Sequence, residues 1–366
     1  MMTSKERMLV ALRRGKPDRM PVTIHQWQAY HLQKFMGGVD QLAAFQTVGL
    51  DASYLAWPWK REYSPNWRYR SAPAGMQGNE TLTRHWITTP DGELTWLSGA
   101  NEYTTYNVEH IIKTERDAEV FLKHWPQLRL DRRQLAAEYD RVGDAGIVRG
   151  FVDCFAQPGT WQEFCEMVGT QEAIYWAADN PGFVHWFLEQ MTQRKLAYIE
   201  REMPGAKYDL IEHGGGAASS TVISPAMFDE FCVPYDKRII FALHAVGLPV
   251  VYHTCGGMMM ILDHIPLNGC DASETLSPPG VGGDIQAEDR VKVREVLGSK
   301  VAMIGGLDQG RILTEGTPAE IRAETLALFE TFGKNGGYIC SASDHFFHTP
   351  VENLKAFAQA GRECQY

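Results

Sequence analysis

Short apolar runs alternate with longer amphipathic stretches over most of this chain, and that alternation predicts a strand–helix repeat. Apolar runs at Pro21-Val22-Thr23-Ile24, 52–56, 147–152, 208–211, 249–252, 270–273, 301–304 and 338–340 read as eight short strands. Helix signals fall between them. Thr3 followed by Glu6 reads as a capping box ahead of a Met8, Leu9, Leu12 stripe that Gly15 ends. Thr160 with Glu163 opens a helix by the same logic. Asn180-Pro181, Ser224-Pro225, Thr317-Pro318 and Pro350 mark further helix starts, and another helix is expected from about Met258.

From Trp57 to about Trp125 the repeat breaks into a stretch rich in Trp, Tyr, Thr and Asn. Thr88-Thr89-Pro90-Asp91-Gly92-Glu93-Leu94-Thr95-Trp96 looks like a hairpin turning at Asp91-Gly92, so 57–125 is expected as an insertion over one end of the main domain. Strand–helix alternation demands parallel pairing with helices outside, and eight units argue for closure. The expected fold class is α/β: a (β/α)8 TIM barrel with an N-terminal helical extension and a hairpin insertion, the 366 residues forming one domain. An open doubly wound sheet is the rival. No Gly-x-Gly-x-x-Gly follows the first strand, which weakens a dinucleotide-binding version.

Composition narrows the function. Hydrophobic residues at 44% and charged residues at 22% suit a large buried core. A net charge of -10 disfavours a nucleic-acid partner. No apolar run is long enough to span a bilayer, and the first residues lack the apolar core of a signal peptide, so a cytoplasmic location is expected. Seven scattered cysteines, an odd number, do not read as a disulfide framework.

In a (β/α)8 barrel the working groups gather where strands end and loops begin. Those positions here hold His25, Glu212, His213, His253, Cys255, Glu274, Asp308, Asp344 and His345. The sharpest signal is an apolar strand running into His253-Thr254-Cys255-Gly256-Gly257. Imidazole and thiolate are good zinc ligands, a spacing of two lets both face the same way, and the glycines permit a tight turn. A packed histidine and a small buried cysteine are the plain alternative; the strand-end placement favours the metal. Asp344, past the last strand, and Cys340, still within it, are the candidate further ligands, and Cys340 reads equally well as a core residue.

Ile211-Glu212-His213-Gly214-Gly215-Gly216 is the second signal, with three glycines that let a ligand approach the backbone. Glu212 could complete a metal shell or hold a substrate hydroxyl, and His213 could act as general acid or base. Asp308, after Gly305-Gly306, either acts on substrate or caps the next loop. His25, Tyr252, Glu274 and His345 are the candidate substrate contacts. Trp57, Trp59, Tyr63 and Trp67 could wall an apolar pocket, although a hairpin packing its own aromatics is simpler.

These residues carry a resemblance. From about Tyr208 onward the chain resembles the uroporphyrinogen decarboxylase superfamily. The marks are Ser224-Pro225-Ala226-Met227-Phe228-Asp229-Glu230-Phe231, Pro234-Tyr235-Asp236-Lys237, His253-Thr254-Cys255-Gly256-Gly257, Ile304-Gly305-Gly306-Leu307-Asp308 and Thr349-Pro350-Val351-Glu352-Asn353-Leu354. The resemblance implies a (β/α)8 barrel. Its haem-pathway decarboxylases carry an Arg-Gln-Ala-Gly-Arg run after the first strand to hold substrate carboxylates, where this chain has His25-Gln26-Trp27-Gln28-Ala29-Tyr30. A polyanionic tetrapyrrole would lack cationic partners there.

The chain looks more like the metal-dependent methyltransferase branch, whose zinc ligands are His-x-Cys and a later Cys. His253 and Cys255 match the first two, and the third falls nearest Asp344 rather than Cys340, an oxygen in place of sulfur. Members of that branch move methyl groups between small methoxylated or thiol substrates and a corrinoid protein. No Asp-x-His-x-x-Gly motif is present, so the implied corrinoid sits on a separate partner. The sequence is compatible with a homodimer but does not fix the oligomeric state.

Overall fold

Eight parallel strands form one sheet in the computed structural model, which describes residues 1–155 and 157–366. They are Val22–Thr23 (β1), Ala52–Leu55 (β2), Gly146–Gly150 (β3), Leu210–Gly214 (β4), Val250–His253 (β5), Ala272–Thr275 (β6), Ala302–Leu307 (β7) and Tyr338–Ala342 (β8). The order is β1-β8-β7-β6-β5-β4-β3-β2, so the first two strands lie at the two edges. Those edges meet through Asp51. Its amide donates to the Val22 carbonyl at 2.9 Å, and its carboxylate accepts from the Val22 amide at 3.0 Å. Arg7 and Arg19 neutralise that buried carboxylate from 2.7 and 3.1 Å. One backbone bond and one bond to the carboxylate therefore stitch the seam where β1 is too short for a full ladder, and the sheet is a nearly closed α/β barrel.

The helix Ser4–Leu12 has the Thr3–Glu6 capping box expected of it. Its Met8, Ala11 and Leu12 pack with Ile147, Leu210, Val251, Ala272, Ala302, Ile304 and Ile339, which point into the lumen. The helical extension is thus the floor of the barrel. Fully burying a side chain of this size contributes about 1.5–3 kcal/mol, so the floor anchors the fold.

The insertion is more than a hairpin. Arg68–Gln77, Glu80–Thr89, Gly92–Ala100 and Thr105–Glu109 form a four-stranded antiparallel meander that includes the turn at Asp91-Gly92. Trp59–Glu62 pairs with Gln127–Leu130, and the helix Glu115–His124 lies between. Two local expectations fail. No α-helix begins at Met258: 259–264 are turns leading to a single 3-10 turn, Ile265–Asn268. Asp284 takes the Met258 and Met259 amides, and Pro266 has no amide to continue a helix. The helix Thr160–Val168 does form, but Gly159 is its N-cap. Thr160 Oγ1 donates to Asp236 and Glu163 pairs with Lys195, so neither caps it.

Candidate active site

Successive side chains of a strand face opposite sides of the sheet, and that alternation decides which expected residues share a site. Two residues above the floor, Arg149, Glu212, His253 and Glu274 point into the lumen from β3, β4, β5 and β6, and His25 joins them just past β1. Arg149 Nη2 donates to Glu212 Oε2 and to Glu274 Oε1, both at 2.6 Å. His253 Nδ1 lies 3.0 Å from the same Glu274 oxygen. His25 Nε2 lies 3.4 Å from both Glu212 and Glu274. Two carboxylates, one guanidinium and two imidazoles thus form one buried ionic layer.

Burial alone would push these carboxyl pKa values up. His25 and Arg149 outweigh it and hold Glu212 below its ordinary value, while Arg149 and His25 hold Glu274 well below. Burial would likewise lower His25, but Glu212 and Glu274 raise it to about 9. His253 is raised well above its ordinary value because Cys255 and Glu274 overcome its burial.

Above this layer the lumen opens. Cys255 and Asp344 present sulfur and carboxylate to His253, with one donor atom from each lying within 4.8 Å of the others. Cys255 is half-buried, whereas the other six cysteines are buried. Asp344 and His345 line an opening together with Gln309 and Gly310. The His345 ring lies 5.6 Å from that of His25, and burial lowers its pKa to about 4, so it is neutral. The glycines of 214–216 serve the protein's own packing. A Cβ on Gly216 would stand 2.8 Å from Cys255 Sγ, and one on Gly214 would stand 2.5 Å from the His253 carbonyl.

Three candidates face the other way. His213 and Tyr252 alternate with Glu212 and His253 and therefore point out at the helix Val233–Ala245. There both bond Asp236, at 2.8 and 2.7 Å. His213 is fully buried in that knot and cannot reach a substrate in the lumen, and neither can Tyr252. Cys340 also points outward into the main apolar core, so Asp344 is the residue that stands with His253 and Cys255. Asp308 is mostly buried and accepts from the Gly310 and Arg311 amides, which is a capping role. Arg149 escaped the sequence reading, although a lone charge inside Ile147-Val148-Arg149-Gly150-Phe151-Val152 was the available signal.

Residues 155–364, more than half of the chain, match the family described as uroporphyrinogen decarboxylase (URO-D). This chain belongs to that family. A methylated-thiol–coenzyme M methyltransferase of Methanosarcina mazei is 25% identical over 200 residues, 54% of this chain and 49% of that protein. The chain therefore spans about half the length of that relative. A uroporphyrinogen decarboxylase of Xanthomonas oryzae pv. oryzae is 24% identical over 362 residues, 95% of this chain and 92% of its own length. A solved methyltransferase from Methanosarcina mazei superposes with a TM-score of 0.63 at 18% identity, covering 99% of both chains, which shows a shared fold. The relatives of this barrel thus include methyltransferases and decarboxylases. Among the described residues no helix is long and apolar enough to cross a membrane.

Proposed function

We propose that this protein is a zinc-dependent methyltransferase that moves a methyl group between a small methoxylated or thiol substrate and the cobalt of a separate corrinoid protein. The observation that carries this reading is the His253, Cys255 and Asp344 donor set, gathered within 4.8 Å at the open end of the lumen. Imidazole, thiolate and carboxylate suit zinc, and three protein ligands beside an opening leave room for a substrate atom. A bound zinc ion would act as a Lewis acid, lowering the pKa of a thiol or withdrawing charge from a departing oxygen.

The chain's own residues would prepare that position. Glu274 accepts from His253 Nδ1 and fixes the ring, and Arg149 holds Glu274 in turn. Glu212, bonded by the same Arg149 Nη2, balances the layer's charge. The proton role falls to His345, neutral and at the opening, since His213 is sealed outside the lumen. No lysine or arginine is among the described residues lining the opening, which suits a neutral methoxylated aromatic or a thiol.

The family's decarboxylases supply the second reading, favoured by the alignment along nearly the whole chain. Against a polycarboxylate substrate stands the lumen itself, where Arg149 is engaged by two carboxylates. Metal analysis of purified protein separates the two. Methyl transfer predicts stoichiometric zinc that is lost in His253→Ala and in Cys255→Ser, with loss of thiol methylation by methylcobalamin. Full metal retention in both variants, or metal-independent release of carbon dioxide from a carboxylated substrate, would overturn it.

A further inference from the structure

A cavity of ≈ 530 Å³ lies beneath the inserted meander, and no residue of the ionic layer or the donor set lines it. Its walls are rings. Trp67 faces Phe121 at 6.0 Å between centroids, Trp125 meets Phe121 edge-on at 4.1 Å and Phe155 at 5.3 Å, and Tyr69 lies 6.0 Å from Trp96. These rings come from the meander, from the segment of helix Glu115–His124 and from the loop after β3, so three parts of the chain converge on one space. A volume of this size matches small-molecule sites rather than a packing defect.

One polar feature stands out against the rings. Arg61 is the one charged residue among those lining the cavity; it is exposed and forms no ion pair among the described residues. Asp153, the acidic group whose charge it feels, is already paired with Arg194 at 2.8 Å. Flat apolar walls and an unpaired guanidinium call for a flat apolar body with one anionic end.

We propose that this cavity is a second binding site, separate from the lumen, for a planar aromatic carboxylate the size of a fused bicycle. Its rings lie between Trp67, Tyr69 and Trp96, and its carboxylate meets Arg61. The site does not depend on the methyl-transfer reading.

Titration of the full-length, metal-loaded protein with naphthoate, followed by calorimetry and tryptophan fluorescence, tests it. Saturable binding of one molecule per chain is expected. Naphthol, the neutral analogue, binds about two- to fivefold more weakly, and Arg61→Gln removes that difference. Tyr69→Ala, at a position half exposed and outside the core, weakens naphthoate by about tenfold. His253→Ala leaves it unchanged. Absence of saturable binding, equal affinity for naphthoate and naphthol, or undiminished affinity in Tyr69→Ala overturns the proposal. So does loss of binding in His253→Ala, which would place the ligand in the lumen.

Discussion

The strands that send Ile147, Leu210 and Val251 to the floor of the lumen send Arg149, Glu212 and His253 to the layer above it two residues later. The floor is held by the loss of apolar surface from water, and almost any well-packed aliphatic set would do. The layer above is held by mutual neutralisation. Each of its ions bears a desolvation cost that only its neighbours offset, so a single missing member exposes the rest. A two-residue period lets one strand do both jobs, stability at one end and chemistry at the other.

Removing the cation is the harshest way to break this contrast. Arg149→Met leaves Glu212 and Glu274 buried together, and a loss of about 3–5 kcal/mol is expected in urea melts. Arg149→Met combined with Glu212→Gln and Glu274→Gln should recover much of that loss, and no recovery would show that the charges are not what the layer balances. Truncating the floor with Ile339→Ala should cost about 2–4 kcal/mol while zinc content stays unchanged. Zinc loss there would mean that the two halves are coupled.

Glu166 sharpens the comparison because it is a largely enclosed carboxylate that forms no ion pair among the described residues, with only the more distant charge of Lys195 to favour its ionised form. Burial raises its pKa to about 7 despite a hydrogen bond from Gln162, the opposite of Glu212 and Glu274. Between the ordinary 4.5 and 7 the folded chain holds a proton that the unfolded chain releases, so its contribution to stability falls as pH rises through that window. Glu166→Gln should therefore gain on the order of 1–3 kcal/mol over the parent at pH 8 and nothing at pH 4, read from thermal melts at each pH. The smallest effect belongs to the outward face. Cys340→Ala should cost roughly 1 kcal/mol and leave bound zinc unaltered, and a drop in metal would return Cys340 to the ligand set.

The eight strands were legible because their outward faces and floor residues are apolar. Their ends were not. β4 and β6 each run past the point where the chain turns polar, since Glu212 and Glu274 are strand residues in a lumen that pairs them. Period-two alternation separates His213 from Glu212 and Tyr252 from His253, but only the sheet reveals which set faces in. The His253-x-Cys255 spacing needed no such help, because both lie on one side at a strand end and the acid that meets them comes from the last loop. The Thr160–Glu163 signature located the helix but not its cap, because Asp236 and Lys195 take the same two side chains.

The floor helix implies something about the order of assembly. Its partners Ala302 and Ile339 lie on the last two strands, so nearly the whole barrel separates the helix in sequence from the residues it packs against. Contacts of such long sequence separation close slowly, so Met8 and Leu12 find their full shelter only once the last strands have paired.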